Sequence, residues 1–79
     1  MRERDAEILK AVGDLIRDCR KKKITQEQLG RAADVSYEHV NHIENYRRMP
    51  SLEVIARLGR ALGYERPSAF LACDRSGVL

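Results

Sequence analysis

The stretch Ser36-Tyr-Glu-His-Val-Asn-His-Ile-Glu-Asn-Tyr-Arg-Arg48 gathers imidazoles, amides, carboxylates and phenols, and ends in an arginine pair. Three chemistries suit such a set: metal ligation, acid–base catalysis, or hydrogen bonding to a patterned surface. On a helix His39 and His42 would lie about 60° apart and could present two ligands, but a closed zinc site takes four. Cys19 falls in an apolar stripe and Cys73 is remote in sequence, so neither completes the set. No metal is expected. Catalysis also lacks its parts, because no nucleophile–base–orienter trio, glycine-rich phosphate loop or carboxylate pair emerges. Neither enzyme activity nor a cofactor is expected. Recognition remains. Asn41 can pair bidentately with adenine, Glu38 can accept from cytosine N4, His42 can donate to guanine N7 or O6, and Tyr37 can reach a phosphate or a thymine methyl.

These groups act together only if an element holds them on one face. With Tyr37 at the origin and about 100° per residue, Asn41 falls near about 40°, Asn45 about 80°, Glu38 about 100° and His42 about 140°. Val40 and Ile43 fall on the opposite side, near about 300° and 240°, and His39 at the margin. Elsewhere apolar residues recur at helical spacing and strand signals are almost absent, so the chain reads as all-α with five helices. In the first, Ile8, Val12, Leu15, Ile16 and Cys19 form one stripe. Thr25-Gln-Glu-Gln28 has the form of a capping box and opens the second, with Leu29, Ala32 and Ala33 as its buried side. Asp34-Val35 makes a tight connection and Ser36 caps the third helix, which runs to about residue 45. Two short helices joined this way, over residues 25–45, form a helix-turn-helix. After a loop from Tyr46 to Pro50, Ser51 caps a fourth helix that turns Leu52, Ile55, Ala56, Leu58 and Leu62 inward. Gly63 stops it, and Pro67 opens a fifth helix, to about Ala72, carrying Phe70 and Leu71.

Bulk properties bound the partners. Seventy-nine residues, 43% hydrophobic and 34% charged, suit one small domain spanning 1–79. At this size folding removes only about 60% of the unfolded chain's surface from water. No signal peptide or membrane span is evident, and two distant cysteines suit a reducing, cytoplasmic setting. The net charge is +3, and residues 17–48 carry the surplus, with eight Lys or Arg against five acids. Clustered basic charge suits a polyanion.

Along most of its length the chain resembles a known family. Val12-Gly13-x-x-Ile16-Arg17-x-x-Arg20, Ile24-Thr25-Gln26-Glu27-x-Leu29, Val35-Ser36, Ile43-Glu44, Pro50-Ser51-Leu52-Glu53 and Leu58-x-x-Ala61-Leu62-Gly63 occur in the order and spacing of the phage repressor and Cro type of helix-turn-helix domain, the XRE family. The resemblance implies a five-helix, lambda-repressor-like domain that binds double-stranded DNA as a homodimer, with the third helix in the major groove. It also implies that Gln26 contacts phosphate and braces that helix. The chain departs from the family at three turns, where Lys23, Asp34 and Tyr46 replace the usual glycine. Gly30 and Gly59 in turn replace helical alanines, and Gly30 would permit a close approach of the third helix to the second.

The expected reading set is therefore Tyr37, Glu38, Asn41, His42 and Asn45. Phosphate contacts are expected from Gln26, Arg20, Lys22, Lys23, Arg31, Ser36, Arg47 and Arg48. Glu44 is expected to brace Arg20 or Arg17. Phe70, Leu71 and the tail to Leu79 are the expected dimer contact, with closure of the core as the alternative role of Phe70. No small-molecule ligand or membrane partner is expected. The function implied is a short transcriptional regulator acting on a two-fold symmetric operator, resembling phage repressors or restriction–modification controllers. The alternative is the antitoxin of a toxin–antitoxin pair or another protein-interaction module.

Overall fold

A computed structural model describes residues 3–72, and Cys73 and the rest of the expected C-terminal contact lie outside them. Five helices follow one another: α1 (Glu3–Lys21), α2 (Gln26–Ala33), α3 (Tyr37–Glu44), α4 (Leu52–Ala61) and α5 (Pro67–Leu71). Three starts are set by short side chains that accept from a backbone N–H three residues on. Thr25 accepts from Gln28, Ser36 from His39 and Ser51 from Val54, each at 3.1 Å. Gln28 returns the bond, its Oε1 accepting from the Thr25 N–H at 2.9 Å, which completes the capping box.

Three helices end alike, on a left-handed residue flanked by two backbone bonds that satisfy the last carbonyls. After α4 this residue is Gly63 at φ 100°, after α2 it is Asp34 at φ 56°, and after α3 it is Tyr46 at φ 64°. At the last of these, Tyr46 N–H donates to the Ile43 carbonyl and Arg47 N–H to the His42 carbonyl. The loop thus keeps the backbone shape that favours glycine, although tyrosine in this conformation costs roughly 1–2 kcal/mol. The side chain offsets that cost. Its ring covers Gly13 on α1, where an added Cβ would lie 2.8 Å from the tyrosine Cδ1. Its hydroxyl donates to Asp14 and accepts from Arg17 Nη1. The third departure, Lys23, is not among the positive-φ residues.

The core consists of Leu15, Ile16 and Cys19 from α1, Leu29 and Ala33 from α2, Val40 and Ile43 from α3, Ile55 and Leu58 from α4, with Leu62 and Phe70. Three inward assignments do not hold. On α2 Ala32 is exposed, and Gly30 joins Leu29 and Ala33 on the buried side. Ile8 is exposed and Leu9 takes the buried position, while Leu52 is 72% exposed at the first position of α4. Leu52 precedes Ile55, the first buried residue of α4, and Ile8 lines an open groove with Leu9, Arg47 and Met49. Phe70 is also corrected. It is 0% exposed, packs against Gly59 and stands 5.4 Å from the Tyr64 ring, so it closes the core and is not available as a dimer contact.

Candidate nucleic-acid interface

α3 is held from behind. Val40 and Ile43 are fully buried, and Gly13 lets α1 approach so closely that a Cβ there would lie 2.6 Å from the Ile43 carbonyl oxygen. Gly30 does the same for the turn, since its Cβ would meet the Val35 carbonyl oxygen at 2.6 Å and the Tyr37 nitrogen at 3.4 Å. The close approach expected at Gly30 is therefore present, to the turn and the start of α3. Tyr37, Glu38 and Asn45 are exposed, and Asn41 and His42 are half-buried. The histidines differ as the wheel implied: His39 Nε2 is buried and has no hydrogen-bond partner.

Beneath this face runs a polar network. Glu44, only 4% exposed, takes the Arg20 Nε at 2.6 Å and the Arg20 Nη2 at 2.9 Å. Arg20 Nη1 donates to the Ile24 carbonyl at 3.1 Å, tying the end of α1 to the start of α2. Of the two bracing partners considered for Glu44, Arg20 is the one used. Gln26 Nε2 donates to Glu44 at 3.0 Å, and Asn41 Nδ2 donates to Gln26 Oε1 at 3.2 Å. At the end of α3, Asn45 Nδ2 donates to the Asn41 carbonyl at 2.8 Å, which holds it beside the face.

The basic residues sort into different tasks. Arg20 is turned inward with 13% of its side chain exposed, so it braces the helices and is not presented to a phosphate. Lys23 Nζ donates to the Leu62 carbonyl and stands 5.1 Å from the Tyr64 ring centroid. It neutralises the carbonyl end of α4, and the helix dipole explains its type. Lys22, Arg31, Arg47 and Arg48 are exposed, as is Lys23 apart from its bond to Leu62. Arg31, Ser36 and Tyr37 line one open groove of about 500 Å³ where α2 meets α3. Arg47 lines a separate one of about 290 Å³ with Asp5, Ile8, Leu9 and Met49.

Sequence reasoning missed the cluster behind Tyr46. Asp14 receives Lys10 Nζ at 3.0 Å and Arg17 Nη2 at 2.8 Å, as well as the tyrosine hydroxyl. Burial acts to raise the Asp14 pKa, but the bonds from Tyr46 and Lys10 and the charges of Lys10 and Arg17 outweigh it and hold the group below the usual carboxylate value. The i, i+3 and i, i+4 spacing of Asp14 from Arg17 and Lys10 was the available signal.

Among the described residues no three His, Cys, Asp or Glu gather as a metal site, and no helix is long and apolar enough to cross a membrane. What the face offers is donors and acceptors of the kind that pair with base edges, on a short helix with a rigid back. Residues 16–67, more than half of the chain, match the family model described as helix-turn-helix. No curated protein and no solved structure gives a match.

Proposed function

The chain belongs to the Cro and repressor type of helix-turn-helix family, a DNA-binding regulatory family and not an enzyme family, and from that premise we propose a dimeric regulator acting on a two-fold symmetric operator. In this reading α3 enters the major groove and Tyr37, Glu38, Asn41, His42 and Asn45 read base edges. Gln26, Lys22, Arg31, Ser36, Arg47 and Arg48 face the phosphates. One observation carries the reading: Val40 and Ile43 are fully buried on one side of α3, while its opposite side is uniformly polar and braced through Asn41 and Gln26. With Phe70 in the core, Leu71 is the apolar group that α5 offers to a second copy, being 51% exposed.

Autoregulation is one form such a regulator takes, so the DNA upstream of the chain's own gene is the first place to look. Footprinting there should show protection in two half-sites about one helical turn apart, on one face of the duplex. Sedimentation equilibrium should show a dimer, at least on DNA. A monomer that occupies a single asymmetric site would remove the two-fold model and leave a one-site binder.

A further inference from the structure

Four side chains from three helices form one hydrogen-bonded line that ends on the reading face: Arg20 to Glu44, Glu44 to Gln26, Gln26 to Asn41. The direction of every bond follows from the first member. A guanidinium carries only donors, so both Glu44 oxygens must accept from it. A carboxylate paired in this way carries only acceptors, so Gln26 must turn its NH2 group toward it. That leaves Gln26 Oε1 directed at Asn41, which must answer with its own NH2 group. Reversing either amide would set acceptor against acceptor or donor against donor in a part-buried place, and each such mismatch is costly. Asn41 is left with its carbonyl Oδ1 and one N–H for a ligand.

We propose that this line is a polarity relay, in which Arg20, Glu44 and Gln26 are positioning residues that fix the Asn41 amide and so select adenine over guanine at the base pair it faces. The proposal rests on Asn41 being a base contact. An acceptor and a donor side by side match the N6 amino group and N7 of adenine. Guanine offers O6 and N7, two acceptors, and suits an amide that presents both its N–H groups. Reversal of one side chain would exchange these patterns without moving a helix. An asparagine on a solvated face can rotate to suit either base. Here rotation of Asn41 requires Gln26 to turn as well, against Glu44.

Two measurements test the relay. In the DNA-free protein, one side-chain N–H of Asn41 should exchange slowly with solvent, and Gln26→Met should abolish that protection while the fold persists. In binding assays, Asn41→Ala first identifies the base pair concerned, by the position at which preference is lost. At that pair the wild type should favour adenine over guanine by about tenfold or more. Gln26→Met should reduce the ratio to below about twofold, because Asn41 regains its freedom to rotate. Loss of a phosphate contact alone would instead lower affinity for both duplexes equally and leave the ratio intact. An unprotected Asn41 amide, or an unchanged ratio in Gln26→Met, overturns the relay. If Asn41→Ala alters no base preference, the base-contact reading fails and the selection of adenine fails with it, while the exchange measurement still reports whether the line of bonds exists.

Discussion

Replacing Arg20 with methionine isolates the electrostatic core of the fold, because methionine keeps the packing of the alkyl stem and removes only the guanidinium. The change deletes two bonds to Glu44, at 2.6 and 2.9 Å, and a third to the Ile24 carbonyl at 3.1 Å. It strands a carboxylate that is 4% exposed, with Gln26 as its one remaining partner among the bonds described above. Breaking one side of a buried pair costs about 3–5 kcal/mol. At roughly 0.05–0.15 kcal/mol per residue, the 79-residue chain has a net stability of about 4–12 kcal/mol, so the single variant loses a large part of it. The double variant Arg20→Met with Glu44→Leu removes both charges and should return to within about 1 kcal/mol of wild type. Urea unfolding followed by far-UV circular dichroism reads all three proteins on one scale. A cost below about 1 kcal/mol for Arg20→Met, or a double variant no more stable than the single, would refute the claim that a paired buried charge fastens α1 to α3.

Further outcomes follow from the same contacts. Gly13→Ala should destabilise by about 1–3 kcal/mol, since its Cβ would lie 2.6 Å from a backbone carbonyl, and this outweighs the gain in helix propensity. Gly59→Ala meets only the Phe70 side chain, at 3.1 Å or more, and should cost less; thermal melts that rank the two the other way would contradict the packing argument. Because the folded pKa of Asp14 is depressed, its contribution is present above the ordinary carboxylate value, about 3.9, and is lost as pH falls through the folded value. The stability gap between wild type and Asp14→Asn should therefore close on acidification below about pH 4, and a gap that stays constant from pH 7 to pH 2 would contradict this. Arg48→Ala should weaken binding to all duplexes alike and reduce the slope of log affinity against log salt by about one, measured by fluorescence anisotropy.

The parts of this fold legible in the sequence are those set within one turn of chain. Thr25, Ser36 and Ser51 reveal themselves as caps because each acts three residues away, and Val40 and Ile43 reveal the inner side of α3 because helical geometry alone separates them from Asn41. Ile8 and Leu52 obeyed the same periodicity and still face water, since an angle on a wheel does not say where the neighbouring helix ends. The remaining features depend on how helices cross. Lys23 reaches Leu62 across 39 positions, and Tyr46 finds Asp14 across 32, so their identities looked like a phosphate ligand and an unexplained turn residue. The link from Gln26 to Asn41 exists only because the start of α2 meets the outer side of α3. Family likeness supplied Gln26, and only the geometry supplied its partner.

The central claim is that the polar side of α3 reads duplex sequence. Selection from a pool of randomised duplexes, with the full chain in wild-type form and as Asn41→Ala, tests it directly. The wild type should enrich a motif with two-fold symmetry, and Asn41→Ala should enrich the same motif with one base pair in each half relaxed. No enriched motif for the wild type, or an identical motif for both proteins, would contradict the assignment of that face.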